Sequence, residues 1–160
     1  MELIITKCEF DDVKPLKELY KECYLFHEKR GFKLIKTHEA PDLFAEYVLD
    51  HLNDQKSLIL VAKYCDEVVG YCFARILEKP PVYTEHIYGE IDNISVLEKY
   101  QRRGIGKNLF LKTLNWFKTN NIQFIEVGVT IGNEKSNSFW EKMGFESHMK
   151  IKLMEIPDRE

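Results

Sequence analysis

The sequence lacks the features of a membrane protein, a secreted protein and a general nucleic-acid binder. No stretch approaches the roughly 20 apolar residues that a membrane-spanning helix needs. The first residues also lack the basic segment and the apolar run of a secretion signal. The net charge of −3 argues against binding to nucleic acid, because a phosphate backbone attracts basic surfaces. We therefore expect a cytoplasmic protein without a membrane or nucleic-acid partner.

Cysteine and histidine are too few and too scattered to indicate a metal site. The four cysteines, Cys8, Cys23, Cys65 and Cys72, form no C-x-x-C pair and lie within apolar patterns. They are therefore predicted to be reduced, buried thiols. The five histidines show no ligand spacing, so no metal ligand is predicted.

The apolar pattern predicts one α/β domain that spans residues 1–160. Apolar residues make up 44% of the chain, which is enough to fill a core. The predicted strands are residues 3–8, 57–65, 68–77, 83–97, 124–130 and 145–155, with a tight turn at 66–67, and the predicted helices are residues 12–28, 41–52, 104–119 and 133–143. The third of these helices lies between two strands, which implies a parallel crossover.

The most informative stretch, residues 91–107, predicts a strand, a turn with two glycines and the start of a helix. Ile94 and Val96 are β-branched and favour the strand. Gly104 and Gly106 can adopt positive φ and allow an anion to approach the backbone closely. The first N–H groups of a helix have no partner within it, and the helix dipole adds positive charge there. The stretch therefore predicts a phosphate-binding turn.

The charge of this turn supports the prediction. Four cations, Lys99, Arg102, Arg103 and Lys107, follow the single anion Glu98 in a chain that is acidic overall. No Gly-Lys-Ser/Thr follows the glycines, so the turn is not a P-loop. A dinucleotide-binding fingerprint is also excluded, because its third glycine and its downstream acid are missing.

A second motif occupies residues 133–145 and predicts a capped helix. Four of its residues recur at helical spacing and share one face: Asn133, Ser136, Asn137 and Trp140. Asn133 is suited to cap the start of this helix, and Gly144 is suited to end it in the left-handed conformation.

Both motifs resemble signatures of the GCN5-related N-acetyltransferases. Gln101-Arg102-Arg103-Gly104-Ile105-Gly106 is similar to the family's Gln/Arg-x-x-Gly-x-Gly/Ala loop, and residues 133–145 are similar to its Asn-x-x-Ala-x-x-x-Tyr-x-Lys-x-Gly-Phe helix. The resemblance implies a mixed, largely antiparallel sheet flanked by helices, with a parallel βαβ crossover at the cofactor site. Trp140 departs from the family, because many members carry a tyrosine there that is credited with protonating the departing thiolate. An indole N–H cannot supply that proton near neutral pH.

The resemblance also implies where acetyl-CoA binds. In the family the loop amides hold the pyrophosphate, and the pantetheine arm pairs with the central strand where a bulge separates it from the next strand. Transferred by position, the cofactor-binding residues are Ile94, Ser95, Val96, Gln101, Arg102, Arg103, Gly104, Ile105, Gly106, Lys107, Asn133, Ser136, Asn137 and Trp140. The backbone N–H of Val96 is expected to stabilise the tetrahedral oxyanion.

Acetylation of an amine also needs a group that removes a proton. A lysine-like amine is neutral in only about one molecule per thousand at pH 7, and a carboxylate can act as the base. Glu90 and Asp92 lie two residues apart on the central strand and should face the same side. Glu90 stands eleven residues before Gln101, where the histone-acetylating branch of the family carries its general base. Glu90 is therefore the first candidate, and Asp92 and His86 are the alternatives.

The predicted function is N-acetylation by direct transfer in a ternary complex with acetyl-CoA. An acyl-cysteine intermediate is not predicted, because Cys65 and Cys72 lie on the hairpin, away from the basic turn. The acceptor is left open among a small amine, a polyamine, an aminoglycoside, a protein N-terminus and a lysine. The sequence also leaves open a monomer or a homodimer, and an acetyl or a longer acyl group. The resemblance implies that residues 27–52 and the loop at Pro80-Pro81 line the acceptor site. The alternative for residues 27–52 is a helix that only covers the core.

Two other functions compete with this prediction. The chain could be a CoA-binding module or sensor without turnover, or it could bind nucleotide phosphates without acyl transfer. Assays of acetyl-CoA turnover and of competition between acetyl-CoA and ATP separate these alternatives from the first.

Overall fold

The structure is a computed structural model that describes residues 3–29, 38–154 and 156. The chain divides into two units, Met1–Gly128 and Val129–Glu160. Within the described ranges, no helix combines the length and the apolar character that crossing a membrane would require.

The first unit is built on a five-stranded mixed sheet in the order β1-β2-β3-β4-β5. The strands are β1 (Leu3–Lys7), β2 (Ser57–Tyr64), β3 (Glu67–Glu78), β4 (Ile87–Val96) and β5 (Ile125–Val127). The pairs β1–β2, β2–β3 and β3–β4 are antiparallel, and β5 runs parallel to β4. The predicted fold class is confirmed, including the crossover between β4 and β5.

Helices cover both faces of this sheet. The side chains of β3 alternate between the two faces, and most of them are buried, so each face needs a covering helix. Helices α1 (Val13–Glu28) and α2 (Ala40–His51) pack on the face that carries Tyr71 and Phe73. Helix α3 (Ile105–Thr119) lies on the opposite face, where Thr113 contacts the buried Cys72. The predicted connector between α1 and α2 falls largely on residues 30–37, which lie outside the described residues.

Gly89 of β4 allows α3 to pack closely on the sheet. A Cβ atom at this position would lie 2.5 Å from Cε1 of the fully buried Phe117. We expect Gly89→Ala to lower the free energy of unfolding by about 1–3 kcal/mol, because overpacking displaces neighbours in a dense core. Gly128→Ala is the control, since a Cβ there meets no atom within 4 Å. Equal denaturant midpoints for the two variants would contradict this packing.

Several predicted boundaries are wrong. β4 begins at Ile87 rather than at residue 83, and β5 is three residues long rather than seven. The β2–β3 turn is centred on Cys65 and Asp66, one residue earlier than predicted, with φ of 49° and 64°. Positive φ at both central residues matches the twist of a two-residue hairpin. Cys65 is consequently exposed and Cys23 is half-buried, so the predicted burial is wrong for these two. Cys8 and Cys72 are buried, as predicted, and all four cysteines are free thiols.

The second unit contains helix α4 (Glu134–Lys142). The Asn133 side chain accepts a hydrogen bond from the Ser136 N–H at 3.2 Å, and Gly144 has a φ of 95°. Both predicted helix ends are confirmed. The strand predicted for residues 145–155 is wrong, because the structure assigns none to residues 145–154. Apolar residues do alternate there, but a strand also needs a hydrogen-bonded neighbour.

Candidate active site

β4 contains one extra residue, Asp92, relative to its partner β3. Phe73 pairs with Asn93 and Ala74 pairs with Ile91, so Asp92 stands opposite no residue of β3. This two-against-one pairing is a β-bulge, which bends a strand and redirects its side chains. The buried Tyr71 hydroxyl donates to Asn93 Oδ1 at 2.7 Å and holds the residue that follows the bulge.

The same bulge changes which backbone groups of β4 face β5. Before it, the Gly89 N–H donates toward β5, to the Phe124 carbonyl at 2.9 Å. After it, the Leu97 N–H donates toward β3, to the Val69 carbonyl at 2.9 Å. Because N–H groups alternate along a strand, those of Ile94 and Val96 face the β5 side.

That side of β4 is open beyond the bulge. The ladder between β4 and β5 joins only residues 89–91 to residues 125–127. The last five residues of β4 therefore have no ladder partner on this side within the described part of the chain. This free edge coincides with the position predicted for the pantetheine arm, at Ile94, Ser95 and Val96.

The structure brings the two predicted carboxylates together on one guanidinium. Arg75 Nη2 donates to Glu90 Oε2 at 2.7 Å and to Asp92 Oδ1 at 3.3 Å. The side chains of Glu90 and Asp92 are 31% and 27% exposed, so the cluster is partly withdrawn from solvent. The alternative base His86 is exposed before β4, where its carbonyl accepts from the Lys79 N–H at 2.7 Å.

Aromatic residues of α2 and β3 lie beside this cluster. The Arg75 guanidinium carbon lies 5.6 Å from the centroid of the Tyr47 ring. The Tyr47 ring lies 4.4 Å from that of His51, and both pack on Phe73. Burial raises the pKa of Asp92 and the nearby Glu90 adds to the rise, whereas Arg75 and His51 oppose it. Asp92 is therefore more basic than an ordinary aspartate.

The basic turn begins directly after β4 and is held to it. The Gln101 side-chain amide donates to the Val96 carbonyl at 2.7 Å. Gly104 has a φ of 80° and a ψ of 0°, as predicted for a left-handed position at the start of α3. The first helical hydrogen bond runs from the Asn108 N–H to the Gly104 carbonyl at 3.0 Å. The N–H groups of residues 105–107 therefore precede the helical bonding pattern and can bind an anion.

The four predicted cations of this turn differ in their surroundings. Lys99 is paired with Glu67 at 2.8 Å, and Arg103 lies over the Tyr100 ring at 5.4 Å. Arg102 and Lys107 are exposed and form no ion pair with any residue that the structure describes. Two cations are therefore available to an incoming anion without the loss of an existing pair.

The second motif, residues 133–145, lies entirely within the second unit. Trp140 is buried, with the rings of Phe139 and Phe145 at 4.9 and 5.0 Å. The Asn133 side chain is engaged in its cap, Ser136 is half-buried and Asn137 is exposed. Binding of a cofactor by Asn133, Ser136, Asn137 and Trp140 stays a prediction.

Arg75 is the one member of the carboxylate cluster that the sequence analysis missed. Its signal is the cross-strand register, because Arg75 stands directly opposite Glu90 in the β3–β4 ladder. A basic residue opposite an acidic one is a favourable pair in antiparallel strands. The pairing of residues between β3 and β4 can be assigned only once the extra residue in β4 is known.

Comparisons with known proteins agree with the fold and with the family resemblance. The model of the acetyltransferase (GNAT) family matches residues 13–145. An N-alpha-acetyltransferase of Sulfurisphaera tokodaii is 29% identical over 106 residues, which are 62% of this chain and 62% of the relative. The chain therefore spans less than two thirds of that relative's length.

Two solved structures show the same fold. A mutant of the BH1408 protein from Bacillus halodurans is 22% identical, with a TM-score of 0.79 over 96% of this chain and 98% of that one. A predicted acetyltransferase of Clostridium acetobutylicum, solved with acetyl-CoA, is 16% identical, with a TM-score of 0.78 over 96% of each chain.

Proposed function

The chain belongs to the acetyltransferase (GNAT) family, and on that basis we propose that it transfers an acetyl group from acetyl-CoA to a primary amine. The observation that carries this proposal is the free edge of β4, which begins beside two carboxylates and ends at a basic turn. One end suits a phosphate and the other suits an ammonium group. The acetyl-CoA in the Clostridium acetobutylicum structure supports the choice of cofactor.

Acetyl-CoA would lie along β4 with its pyrophosphate at the turn. The N–H groups of residues 105–107 and the cations Arg102 and Lys107 would bind the phosphates. The backbone of Ile94 and Val96 would pair with the amide groups of the pantetheine arm. Gln101 would support this arrangement by holding the turn to the end of β4.

The chemical step would be a direct attack of the amine on the acetyl carbonyl carbon. A bond forms between nitrogen and this carbon, and the resulting oxyanion would accept the Val96 N–H. Collapse of the intermediate breaks the bond between carbon and sulfur and releases the CoA thiolate. The proton from nitrogen would pass to the Glu90–Asp92 pair, directly or through a water.

For the acceptor we propose the α-amino group of a peptide. The support is the Sulfurisphaera tokodaii relative, which is an N-alpha-acetyltransferase. An α-amino group has a pKa of roughly 7.7–8.0, so far more of it is neutral at pH 7 than of a lysine amine. A carboxylate is a weak base in comparison with a lysine amine, so it is better matched to that acceptor than to lysine.

An acceptor panel tests this function. Release of the CoA thiol from acetyl-CoA is measured with a peptide, the same peptide with a blocked N-terminus and an internal lysine, an aminoglycoside and a polyamine. We expect release with the free peptide and little with the blocked one. Preference for the aminoglycoside or the polyamine would overturn the proposed acceptor but leave acetyl transfer intact. Tight binding of acetyl-CoA with no release in any sample would instead support a CoA-binding module.

We expect Trp140→Phe to keep kcat within about tenfold, well short of the loss that follows removal of a general acid or base. The buried indole contacts Phe139 and Phe145, and it cannot supply a proton near neutral pH. The departing thiol resembles cysteine, with a pKa of about 8.5, so its thiolate can leave unprotonated. Steady-state kinetics on the folded variant decide this, and a thousandfold fall in kcat would show that the indole takes part.

A further inference from the structure

Arg75 lies where the proposed mechanism calls for carboxylates alone. We propose, on the basis of the proposed function, that Arg75 is a positioning residue that binds Glu90 and leaves Asp92 as the carboxylate that takes the proton. Neither the family match nor the comparisons assigns a role to this side chain.

The contacts of the guanidinium are unequal. Nη2 lies 2.7 Å from Glu90 Oε2 but 3.3 Å from Asp92 Oδ1. The shorter distance is that of a strong charge-assisted hydrogen bond, and the longer one lies beyond the usual range. Glu90 is therefore held as the partner of the cation, while Asp92 stays near it with an oxygen that can accept a proton.

The bulge contributes to this difference. Glu90 is paired in the ladder opposite Arg75, so its backbone places it directly across from the guanidinium. Asp92 is the extra residue and has no partner across the ladder. It reaches the same nitrogen from a redirected stretch of backbone.

The orientation of Arg75 is restrained, but its hydrogen bonding is incomplete. The guanidinium lies over the Tyr47 ring at 5.6 Å, a cation–π contact that limits its movement. Its Nε atom is buried and has no acceptor among the residues that the structure describes. A partly exposed ion network with one unsatisfied donor contributes little to stability. A contribution to folding stability therefore does not explain why this cluster is present.

The groups that face the two carboxylates come from several elements. Six titratable groups lie near enough to Asp92 to interact with its charge: Tyr20 of α1, Tyr47 and His51 of α2, Tyr71 and Arg75 of β3, and Glu90 of β4. Glu90 also interacts with Tyr88 and stands opposite Glu126 of β5. Of these groups only the guanidinium is a permanent cation. Burial and Glu90 raise the pKa of Asp92, and Arg75 is the first group that lowers it.

Removal of this cation should therefore move the titration of Asp92 to higher pH. More of the base is then protonated at pH 7, and activity returns as the pH rises. We expect Arg75→Gln to shift the acidic limb of the kcat profile upward. At pH values below the limb, kcat should fall about tenfold for each unit of the shift. Arg75→Lys keeps the charge but lacks the planar fork, so its shift should be smaller and in the same direction.

The matched control is Lys63→Gln. Lys63 also forms a partly buried ion pair on the sheet, with Asp12 at 2.6 Å, but it lies on β2 away from the cluster. This control removes a cation and an ion pair without touching Glu90 or Asp92. Its acidic limb should coincide with that of the wild type.

Carbon-13 NMR of the Asp92 carboxyl group supplies a readout that does not depend on turnover. An upward shift of its titration in Arg75→Gln, with none in Lys63→Gln, supports the proposal. That result in a protein that acetylates nothing would retain the role of Arg75 and reject the proposed function. Unchanged titration and an unchanged acidic limb in Arg75→Gln would overturn the proposal. If this variant does not fold, an Arg75→Lys variant that matches the wild type in both measurements overturns it.

Discussion

Asp92→Asn should lower kcat about 10²–10⁴-fold at pH 7, the loss typical of a missing general base. Asn keeps the size of the side chain and removes its capacity to accept a proton. The position at the bulge and the 3.3 Å contact with Arg75 leave this carboxylate free to act. Steady-state kinetics at saturating acetyl-CoA give kcat, and calorimetry gives cofactor affinity, which should change little.

Glu90→Gln is the matched comparison, because it alters the other carboxylate on the same guanidinium. Loss of Glu90 leaves Arg75 to pair with Asp92, which makes Asp92 less basic. We expect a smaller fall in kcat, at most about tenfold for each unit by which the pKa of Asp92 drops, because a weaker base removes a proton less readily. If Glu90→Gln loses more activity than Asp92→Asn, Glu90 is the base, as the sequence alone first indicated.

Gly104→Val should weaken the binding of acetyl-CoA by about five- to 150-fold, the equivalent of the backbone strain it introduces. A Cβ at Gly104 would meet no atom within 4 Å, so the change creates no clash inside the protein. The φ of 80° is nevertheless a conformation that a β-branched residue adopts only with strain, at about 1–3 kcal/mol. Without cofactor, the turn of the variant can relax this strain. It must return to the strained conformation to present its N–H groups to phosphate, and this cost lowers the affinity.

Gly144→Val is the control for this experiment. Gly144 has a φ of 95° and equally open space around a Cβ, but it lies just after α4 and outside the turn that is proposed to bind phosphate. Both variants should remain folded, which denaturant unfolding checks. In calorimetry only Gly104→Val should lose affinity for acetyl-CoA. Equal affinities for the two variants would remove the turn from the cofactor site.

The order of the elements in the first unit could be predicted because each one carries its own periodic pattern. Alternation along β4 also placed Glu90 and Asp92 on one face, and both contact Arg75 in the structure. The glycine at position 104 predicted the left-handed start of α3 for a local steric reason. Features of this kind depend on residues close together in the chain.

The errors and omissions depend on residues far apart in the chain. Arg75 was missed because its place opposite Glu90 follows from the pairing of two strands around an extra residue. The strand predicted for residues 145–155 is wrong because an alternating apolar pattern indicates two different faces but does not show that a neighbouring strand is present to pair with it. Cys65 was predicted to be buried from its apolar neighbours, but it forms the exposed hairpin turn.

The central claim is direct acetyl transfer to an amine, and intact-mass spectrometry of enzyme and peptide from one reaction tests it most directly. The wild-type protein is mixed with acetyl-CoA and a peptide that has a free N-terminus, then quenched over time. We expect the peptide to gain one acetyl group, the enzyme to keep its mass, and Asp92→Asn to slow the gain. A peptide of unchanged mass beside bound acetyl-CoA would contradict the claim, and so would an acetyl group that first appears on the enzyme.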